Sequence, residues 1–517
     1  MAQINVSDLT FCYEGSFDDI FDHVSFSIDT DWKLGFIGRN GKGKTTFLNI
    51  LLGKLEYSGS VYTSTVFDYF PYNITKRQMS MCVADILDEW KTGCEMWRVC
   101  LELDKLQVSA ELLYREIQTL SHGERTKMML AVLFAGENEF LLIDEPTNHL
   151  DHEARDTVKE YLSKKNGFIL VSHDRDLLDA CIDHVLVLNR KSIEVQSGNF
   201  SSWWENKMRK DSHDKLENEK HMREIAHLKK AADRSNRWAM KNENSKIGFD
   251  PRKEPDRCIS TRSYIGAKTK KMQSRVKQYE QRIEREIQEK EGLLKDIENP
   301  VDLKLMPLKY HKEELIWANH YDLRYKDAKQ SVLEGFDFSL KRGERVFLHG
   351  KNGCGKSSLI HAILAHVNNV ENNKLVPYDS FLDKINEEGS LRVGSGLIIS
   401  YINQDTSFLH GTLKDFCKQR NLDESLFCAI LRQLDMDRVQ FTKRMEEYSQ
   451  GQKKKVLISA SLLTPAHLYL WDEPLNYIDV FSRIQIENLI QTYQPTMLLV
   501  DHDVRFQKKI ATRVIQM

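Results

Sequence analysis

The sequence predicts an α/β fold in which one domain occurs twice in tandem and a long antiparallel α-helical hairpin joins the copies. Three observations support this prediction. A glycine-rich loop occurs twice, the same polar motifs follow each loop in the same order, and a highly charged segment separates the two halves. We place the first copy at residues 1–200, the linking segment at 201–313 and the second copy at 314–517.

Each glycine-rich loop has the pattern G-x-x-x-x-G-K-[ST], and 312 residues separate the two loop lysines. An apolar run precedes each loop and a helix-like stretch follows it, which is the context that this motif requires. In such a loop the backbone N–H groups cradle phosphates, the lysine reaches them, and the Ser or Thr hydroxyl binds Mg²⁺. A chance turn could match once, but two matches in this context disfavour that explanation. The predicted nucleotide-binding residues are Gly38, Asn40, Gly41, Gly43, Lys44, Thr45 and Thr46 in the first copy, and Gly350, Asn352, Gly353, Gly355, Lys356, Ser357 and Ser358 in the second.

Two adjacent acids follow an apolar strand in each copy, namely Asp144-Glu145 and Asp472-Glu473. An Asp at the end of such a strand can orient Mg²⁺, and the following Glu can accept a proton from an attacking water. Acid pairs usually lie at solvated strand ends, but their position after a phosphate loop favours a catalytic role. Glu145 and Glu473 are therefore predicted to be catalytic bases. The predicted metal ligands are Thr45, Asp144, Ser357 and Asp472.

A histidine and an aromatic residue also recur at matching distances. His173 and His502 follow their glutamates by 28 and 29 residues, and we expect each to contact the γ-phosphate. Tyr13 and Tyr325 each precede their loop lysine by 31 residues and could stack on adenine. These tyrosines could instead be core aromatics of a strand, and Phe17 is a rival in the first copy.

A Ser-x-Gly motif lies 24 residues before each glutamate, at Ser121 and Gly123 in the first copy and at Ser449 and Gly451 in the second. Serine and glycine at a helix start suit anion binding, because N–H groups and the helix dipole point there. Either serine alone could be an ordinary N-cap.

The linking segment is basic although the whole chain has a net charge of −2. Residues 221–280 contain 16 Lys and Arg against 7 Asp and Glu. Apolar residues recur at helical spacing on both sides of a break that contains glycine and proline, which predicts two helices and an extended tip at about residues 242–263. A charge run is usually a solvated helix face, but a basic projection on an acidic body favours binding to a phosphate backbone. The basic residues just past the tip are Lys268, Lys270 and Lys271.

The composition argues against several other classes of protein. The sequence has no apolar run of 18 residues, so we expect no membrane span. Its N-terminus lacks the basic and apolar regions of a secretory signal, and its nine cysteines form no C-x-x-C pair. We therefore expect a cytoplasmic protein with free thiols.

Taken in order, these motifs resemble those of ATP-binding-cassette (ABC) ATPase domains: Walker A, Q-loop, signature, Walker B with its glutamate, D-loop and H-loop. The resemblance implies that two cassettes of one monomer close head-to-tail over two ATP molecules. Ser449 and Gly451 would then complete the site of Lys44, and Ser121 and Gly123 would complete that of Lys356. Gln404 matches the Q-loop glutamine, which implies a role in ATP and Mg²⁺ binding. Tyr72 stands at the equivalent position of the first copy, so we expect two unequal sites.

Two cassettes joined by a charged helical linker resemble the ABC-F proteins, which act on ribosomes. Only 49 positions separate Tyr72 from Ser121, which leaves no room for the long helical arm of some members. Several stretches, such as residues 37–44, 198–201, 265–268 and 471–479, resemble the Gram-positive antibiotic-resistance branch. That branch protects ribosomes against lincosamides, pleuromutilins and streptogramin A.

The resemblance implies a bacterial 70S ribosome as partner, with contacts at the tRNA exit site, the 23S rRNA and the P-site tRNA, and no membrane partner. The candidate tip residues near the drug site are Lys246, Ile247, Phe249, Arg257 and Ile259. Two alternatives share the cassette motifs: a housekeeping factor that relieves stalled ribosomes, and the ATPase subunit of a membrane transporter. A DNA-repair ATPase fits less well, because its coiled coil interrupts one cassette.

Overall fold

The computed structural model describes most of the chain. The described residues are 2–13, 19–39, 41–136, 139–148, 150–189, 193–244, 277–279, 281–283, 285, 305–328, 330–367 and 379–517. The chain forms two compact units: Met1–Trp203 together with Pro300–Met517, and Trp204–Asn299. Both cassettes belong to the first unit.

The first cassette contains a six-stranded sheet in the order β5-β6-β7-β3-β8-β9 and a three-stranded sheet in the order β2-β1-β4. Its strands are β1 (Gln3–Phe11), β2 (Phe21–Asp29), β3 (Lys33–Gly38), β4 (Ser58–Tyr62), β5 (Val66–Phe70), β6 (Glu139–Asp144), β7 (Phe168–Val171), β8 (His184–Leu188) and β9 (Ile193–Ser197). Its α-helices are α1 (Lys44–Leu51), α2 (Val83–Trp90), α3 (Met96–Lys105), α4 (His122–Phe134), α5 (His152–Ser163) and α6 (Arg175–Cys181).

The second cassette repeats this arrangement, with a five-stranded sheet in the order β14-β15-β16-β12-β17 and a three-stranded sheet in the order β11-β10-β13. Helix α7 (Phe200–Asn244) precedes it. The strands are β10 (Glu314–Tyr325), β11 (Leu333–Lys341), β12 (Arg345–His349), β13 (Ile385–Val393), β14 (Ile399–Ile402), β15 (Leu468–Asp472), β16 (Met497–Val500) and β17 (Arg513–Gln516). The α-helices are α8 (Lys356–Ala365), α9 (Asp379–Leu382), α10 (Leu413–Gln419), α11 (Glu424–Gln433), α12 (Gln450–Leu463), α13 (Val480–Tyr493) and α14 (Val504–Ile510).

The central strands are buried on both faces because their pairing is parallel and their sequences are continuously apolar. In β15, Tyr469 and Trp471 pack into one core cluster while Leu468 and Leu470 pack into another. The carboxyl ends of parallel strands meet at one edge of a sheet, which is where open α/β sheets bind ligands. The predicted class, two tandem α/β cassettes, is confirmed.

Strand register shows which residues correspond in the two cassettes. Phe70 pairs with Ile143, which immediately precedes Asp144, and Ile402 pairs with Trp471, which immediately precedes Asp472. Two residues beyond Phe70 and Ile402 lie Tyr72 and Gln404. These two residues therefore occupy equivalent positions.

Helix α7 is 45 residues long, and residues 277–279, 281–283 and 285 are also helical. No helix in the described part of the chain is both long enough and apolar enough to cross a bilayer. Several predicted residues fall outside the described residues: Phe17, Asn40, Lys246, Ile247, Phe249, Arg257, Ile259, Lys268, Lys270 and Lys271.

Candidate active sites

Each glycine-rich loop connects a central strand to the start of a helix, β3 to α1 and β12 to α8. The last glycine of each loop is the helix N-cap and is left-handed, with φ of 106° at Gly43 and 100° at Gly355. A Cβ atom at Gly43 would lie 2.4 Å from Ile20 Cγ2, and one at Gly355 would lie 2.5 Å from Val332 Cγ1. Only glycine fits this turn, because both the φ angle and the close neighbour exclude a side chain.

The loop lysines lie within their own loops and are buried. Lys44 Nζ donates to the Gly38 carbonyl oxygen at 2.6 Å. Lys356 Nζ donates to the Gly350 and Lys351 carbonyl oxygens at 2.8 and 2.7 Å. Both ammonium groups thus lie against the backbone of their own glycine-rich loops, where they can meet phosphate oxygens.

The residues predicted to hold Mg²⁺ come together in both copies. Thr45 Oγ1 donates to Asp144 Oδ2 at 3.3 Å, and the Ser357 hydroxyl bonds to Asp472. Burial raises the pKa of Asp144, and it raises that of Asp472 to about 6. Among the residues that the structure describes, Asp472 Oδ1 is buried without a hydrogen-bond partner. A hydroxyl beside a carboxylate with an unused oxygen fits Mg²⁺, a cation that prefers oxygen ligands.

Glu145 and Glu473 share an uncommon backbone conformation, with positive φ angles of 52° and 47°. This conformation is strained for a residue other than glycine, and strained residues are concentrated at functional sites. In each copy the neighbouring strand holds the residue, because the backbone N–H donates to Val171 at 2.8 Å or to Val500 at 2.9 Å.

The predicted histidines lie beside these glutamates. His173 Nε2 is 3.4 Å from Glu145 Oε1, and His502 Nε2 is 3.6 Å from Glu473 Oε1. Burial, together with the positive charge of Lys44, lowers the pKa of His173 well below its ordinary value. The structure therefore brings each predicted base and histidine into one cluster.

The Q-loop positions make the two sites unequal. In the second site Gln404 Nε2 and Asn476 Nδ2 donate to Glu473 Oε2 at 2.8 and 2.7 Å. In the first site Tyr72 turns away from the glutamate: its hydroxyl donates to Asp68 at 2.7 Å and its ring stacks on Trp90.

A different tyrosine, Tyr69, contacts the first site: its hydroxyl donates to Asp144 Oδ2 at 3.1 Å. No motif in the sequence indicates this contact. Glu145 Oε1 is buried, and the His173 ring lies 3.4 Å from it.

The two glutamates consequently differ in acidity. Burial, followed by the repulsion of Asp144, raises the pKa of Glu145. Burial opposes ionisation of Glu473 as well, but hydrogen bonds from His502 and Gln404 and the charge of Lys454 outweigh it and lower the pKa of Glu473. The difference follows from the residues that face each carboxylate.

The predicted aromatic residues, Tyr13 and Tyr325, contact the first turns of the helices that follow the glycine-rich loops, α1 and α8. The Tyr13 hydroxyl is 2.8 Å from Thr46 Oγ1, and the Tyr325 hydroxyl is 2.9 Å from Ser358 Oγ. Tyr13 is 47 % exposed, so part of this residue is open to solvent. The rings therefore lie next to the phosphate-binding loops, where adenine stacking stays a prediction.

Replacement of both Tyr13 and Tyr325 by alanine is expected to raise the KM for ATP by about tenfold, because one base–aromatic stack is worth roughly 1–3 kcal/mol. The Tyr13→Phe/Tyr325→Phe protein is the matched control, since it keeps both rings and loses only the hydroxyls. ATP titrations of the steady-state rate measure the effect. Equal KM values for the alanine and wild-type proteins would exclude stacking by these rings.

The two signature serines are N-caps of α4 and α12 in complete capping boxes. Ser121 Oγ accepts from Glu124 N at 3.2 Å, and Ser449 Oγ accepts from Gln452 N at 3.3 Å. Gln452 replaces the usual glutamate without loss of the motif, because its amide oxygen accepts from Ser449 N at 3.0 Å. Gly123 and Gly451 are the second residues of these helices.

The first Walker A loop contacts the second cassette. Arg39 Nη1 is 3.0 Å from Asp435 Oδ1, and Lys42 Nζ is 3.5 Å from Asp437 Oδ1. Both aspartates lie between α11 and the signature at Ser449.

A buried ion-pair network also joins the cassettes, and its residues carried no signal in the sequence. Arg175, at the start of α6, pairs with Glu487 of α13 and lies 3.5 Å from Asp503 Oδ2. Lys509 Nζ is 3.2 Å from Glu487 Oε2, and Arg483 Nη1 is 3.2 Å from Asp503 Oδ2. Side chains of both cassettes thus neutralise one another in the interior.

Comparison with known proteins places the chain in a family. The model described as "ABC transporter" matches residues 21–148 and 333–476. The ribosome protection protein VmlR of Bacillus subtilis is 25 % identical over 508 residues, which are 96 % of this chain and 84 % of that protein. The erythromycin resistance ATP-binding protein MsrA of Staphylococcus epidermidis is 26 % identical, with 93 % and 91 % covered.

A solved structure has the same fold. It is that of the archaeal ribosome recycling factor aABCE1 in complex with the ribosomal stalk protein aP1, with a TM-score of 0.59 and 18 % identity, covering 98 % of this chain and 87 % of that one. The double family match agrees with the two sets of motifs described above. The chain therefore belongs to the ABC transporter family as an ABC-F protein, an ATPase that carries both of its cassettes in one polypeptide.

Proposed function

We propose that this protein protects bacterial ribosomes from antibiotics that bind the peptidyl-transferase centre. One observation carries the proposal: the alignment with VmlR, a ribosome protection protein, spans 96 % of this chain and so extends beyond the two cassettes. The similarity to an erythromycin resistance protein points the same way. A charged helical segment between two ATPase cassettes suits a partner made largely of RNA, because its basic stretch can pair with phosphates.

In this proposal each ATP lies on one Walker A loop and is closed over by the signature of the other cassette. Lys44 and Lys356 bind the β- and γ-phosphates, and Ser449 and Ser121 bind the γ-phosphate from the opposite side. The contacts of Arg39 with Asp435 and of Lys42 with Asp437 support this pairing, because they join the first loop to the region before Ser449. Mg²⁺, which would supply charge neutralisation for the phosphates, would be held by Thr45 with Asp144 and by Ser357 with Asp472, assisted by Gln404.

The proposed chemistry is attack of water on the γ-phosphorus, with cleavage of the bond to the β–γ bridging oxygen. Glu145 or Glu473 takes the proton of the attacking water, and ADP and phosphate leave. His173 and His502 lie beside these bases and contact the γ-phosphate. The strained backbone of each glutamate fixes its carboxylate before ATP arrives.

Binding of two ATP molecules closes the cassettes, because each nucleotide bridges the interface. The closed protein binds the tRNA exit site, and the linker reaches along the P-site tRNA toward the 23S rRNA of the drug site. Residues of the predicted tip, Lys246, Ile247, Phe249, Arg257 and Ile259, together with Lys268, Lys270 and Lys271, then displace the drug. Hydrolysis opens the cassettes and releases the protein.

The test is a cell-free bacterial translation reaction stalled with lincomycin or tiamulin, with and without purified protein and ATP. Protein with ATP is expected to restore synthesis, and the Glu145→Gln/Glu473→Gln protein is expected not to. The Glu194→Gln protein, altered on the exposed face of β9, is the matched control and should behave as wild type. ATP-dependent ribosome binding without rescue from either drug would contradict protection and favour a housekeeping translation factor.

A further inference from the structure

In the second cassette, the Q-loop (Asn403–Thr406) is bonded to the signature helix α12 at two points. Lys454 Nζ donates to the Asn403 carbonyl oxygen at 3.0 Å, and Thr406 Oγ1 donates to Gln450 Oε1 at 2.7 Å. Lys454 and Thr406 are each only 3 % exposed. The same loop holds Gln404, which donates to the catalytic glutamate of its own site at 2.8 Å. One short segment therefore touches both a catalytic carboxylate and the helix that begins at the signature serine.

The first cassette has different residues at all of these positions. Strand register and the two N-cap serines give the equivalences. Isoleucine replaces Thr406 and has no hydroxyl, so it cannot form the bond to the signature helix. Threonine replaces Lys454, and its hydroxyl donates to the His122 carbonyl oxygen of its own helix at 2.9 Å. The corresponding residues of the first cassette are Pro71, Tyr72, Ile74 and Thr126.

At the other end of the signature helix, both cassettes are tied to the Q-loop strand. Ser461 Oγ is 2.7 Å from Ser400 Oγ in the second cassette. In the first, Lys91 Nζ donates to the Leu133 carbonyl oxygen at 2.6 Å and to Asp68 at 3.0 Å. The difference between the cassettes is thus confined to the end of the helix that carries the signature.

Charge strengthens the link in the second cassette. The Lys454 ammonium interacts with four carboxylates of its own cassette, those of Asp472, Glu473, Asp501 and Asp405. Charges interact strongly at short range in a buried site, because little water screens them. A ligand that repositions the Walker B acids therefore changes the force on Lys454 and, through it, on α12.

We propose that Lys454 and Thr406 are positioning residues that couple the two ATP sites in one direction, from the site of Lys356 to the site of Lys44. The inference rests on the proposed pairing in which Ser449 serves the Lys44 site. ATP on Lys356 fixes Gln404, the Q-loop then fixes the start of α12, and Ser449 is held in place for the other nucleotide. The first cassette lacks these two hydrogen bonds, because Ile74 and Thr126 stand at the positions of Thr406 and Lys454. The same contacts therefore cannot couple the sites in the other direction, from Lys44 to Lys356.

The experiment measures hydrolysis at the Lys44 site alone, in full-length protein whose other site is inactivated by Glu473→Gln. In that background Lys454→Met is expected to lower turnover by about tenfold, within the range of ordinary coupling between sites. Thr406→Val, which removes only the hydroxyl, is expected to lower it by about fivefold. Lys454→Arg keeps the charge and a donor and should restore most of the rate. Thermal unfolding identifies any variant that fails to fold. If Lys454→Met does not fold, the loss of turnover in Thr406→Val, compared with the retained rate of Lys454→Arg, tests the proposal.

The matched control tests coupling in the opposite direction, from the Lys44 site to the Lys356 site. Thr126→Val in the Glu145→Gln background should leave turnover at the Lys356 site close to that of the Glu145→Gln protein, below the range of ordinary coupling, and a loss as large as that of Thr406→Val would overturn the one-way direction. A role of Lys454 limited to its own site predicts no change at the Lys44 site, so an unchanged rate with Lys454→Met and Thr406→Val overturns the proposal.

Ser449→Arg, in the Glu473→Gln background, distinguishes an error in the proposed pairing of Ser449 with the Lys44 site from an error in the proposed coupling between the sites. If Ser449→Arg leaves the Lys44 site fully active, the pairing itself is wrong and the coupling falls with it. If Ser449→Arg stops that site and Lys454→Met does not, only the coupling is wrong. Neither result depends on ribosomes or drugs.

Discussion

Replacement of both Glu145 and Glu473 by glutamine is expected to lower steady-state ATP hydrolysis by about 10²–10⁴-fold, the usual contribution of a general base. Glutamine keeps the shape of the side chain but cannot accept the proton of the attacking water. The geometry supports the choice of residue, because each glutamate follows an apolar central strand, has a strained backbone and lies within 3.6 Å of a histidine. Both cassettes show this arrangement independently.

The double variant should still bind ATP, because the Walker A lysines and the aspartates that we propose as Mg²⁺ ligands are unchanged. Phosphate release measures turnover, and the amount of ATP retained after rapid gel filtration measures nucleotide binding. The Glu194→Gln protein serves as control for a neutralised surface carboxylate. Turnover within a few-fold of wild type would show that another group takes the proton and would remove both glutamates from the proposed mechanism.

The second large effect is a loss of stability, expected when the buried ion-pair network that joins the cassettes is broken. Replacement of Arg175 by methionine should lower stability by about 3–5 kcal/mol, because it leaves buried carboxylates with too little positive charge. Arg175 is 7 % exposed, and its partner Glu487 is fully buried. Lys509 would remain 3.2 Å from Glu487, and Asp503 would retain Arg483 at 3.2 Å and the weaker attraction of Arg155.

The urea midpoint of unfolding, followed by tryptophan fluorescence, measures this loss. Lys351→Met is the matched control, because Lys351 Nζ also pairs across the cassettes, 2.7 Å from Glu153 Oε2, but both side chains are 74 % exposed. Solvent screens that pair, so its removal should change the midpoint little. Equal shifts for the two variants would mean that the buried network does not hold the cassettes together.

The sequence could predict the tandem fold and the grouping of the motif residues because each motif is local. A glycine-rich loop between a strand and a helix fixes where Lys44 lies, and parallel strands bring Asp144 and His173 to the same edge. Apart from the edge strand β9, the sheet order of the second cassette repeats that of the first, as the repeated motifs predict.

Other features depend on packing that no local pattern encodes. The sequence identified Tyr72 as the unusual Q-loop residue, but only the structure shows that its hydroxyl bonds to Asp68 and that Tyr69 bonds to Asp144. Arg175 and Glu487 are 312 residues apart, and their pairing follows from how two folded cassettes meet. Periodicity and motif spacing carry no information about such a contact.

The capping boxes at Ser121 and Ser449 bear on the ATP contacts that we propose for these two serines. A hydroxyl has two lone pairs and one proton, and here the backbone N–H of the third helical residue occupies a lone pair. The oxygen is thereby committed to starting the helix, while its hydrogen stays available to an outside acceptor. Aspartate starts helices equally well, but its carboxylate has no hydrogen to give and would repel an anion. At these two positions, helix capping uses the oxygen of the hydroxyl and the proposed ATP contact would use its hydrogen. A substitution can therefore remove the proposed contact and still keep the cap.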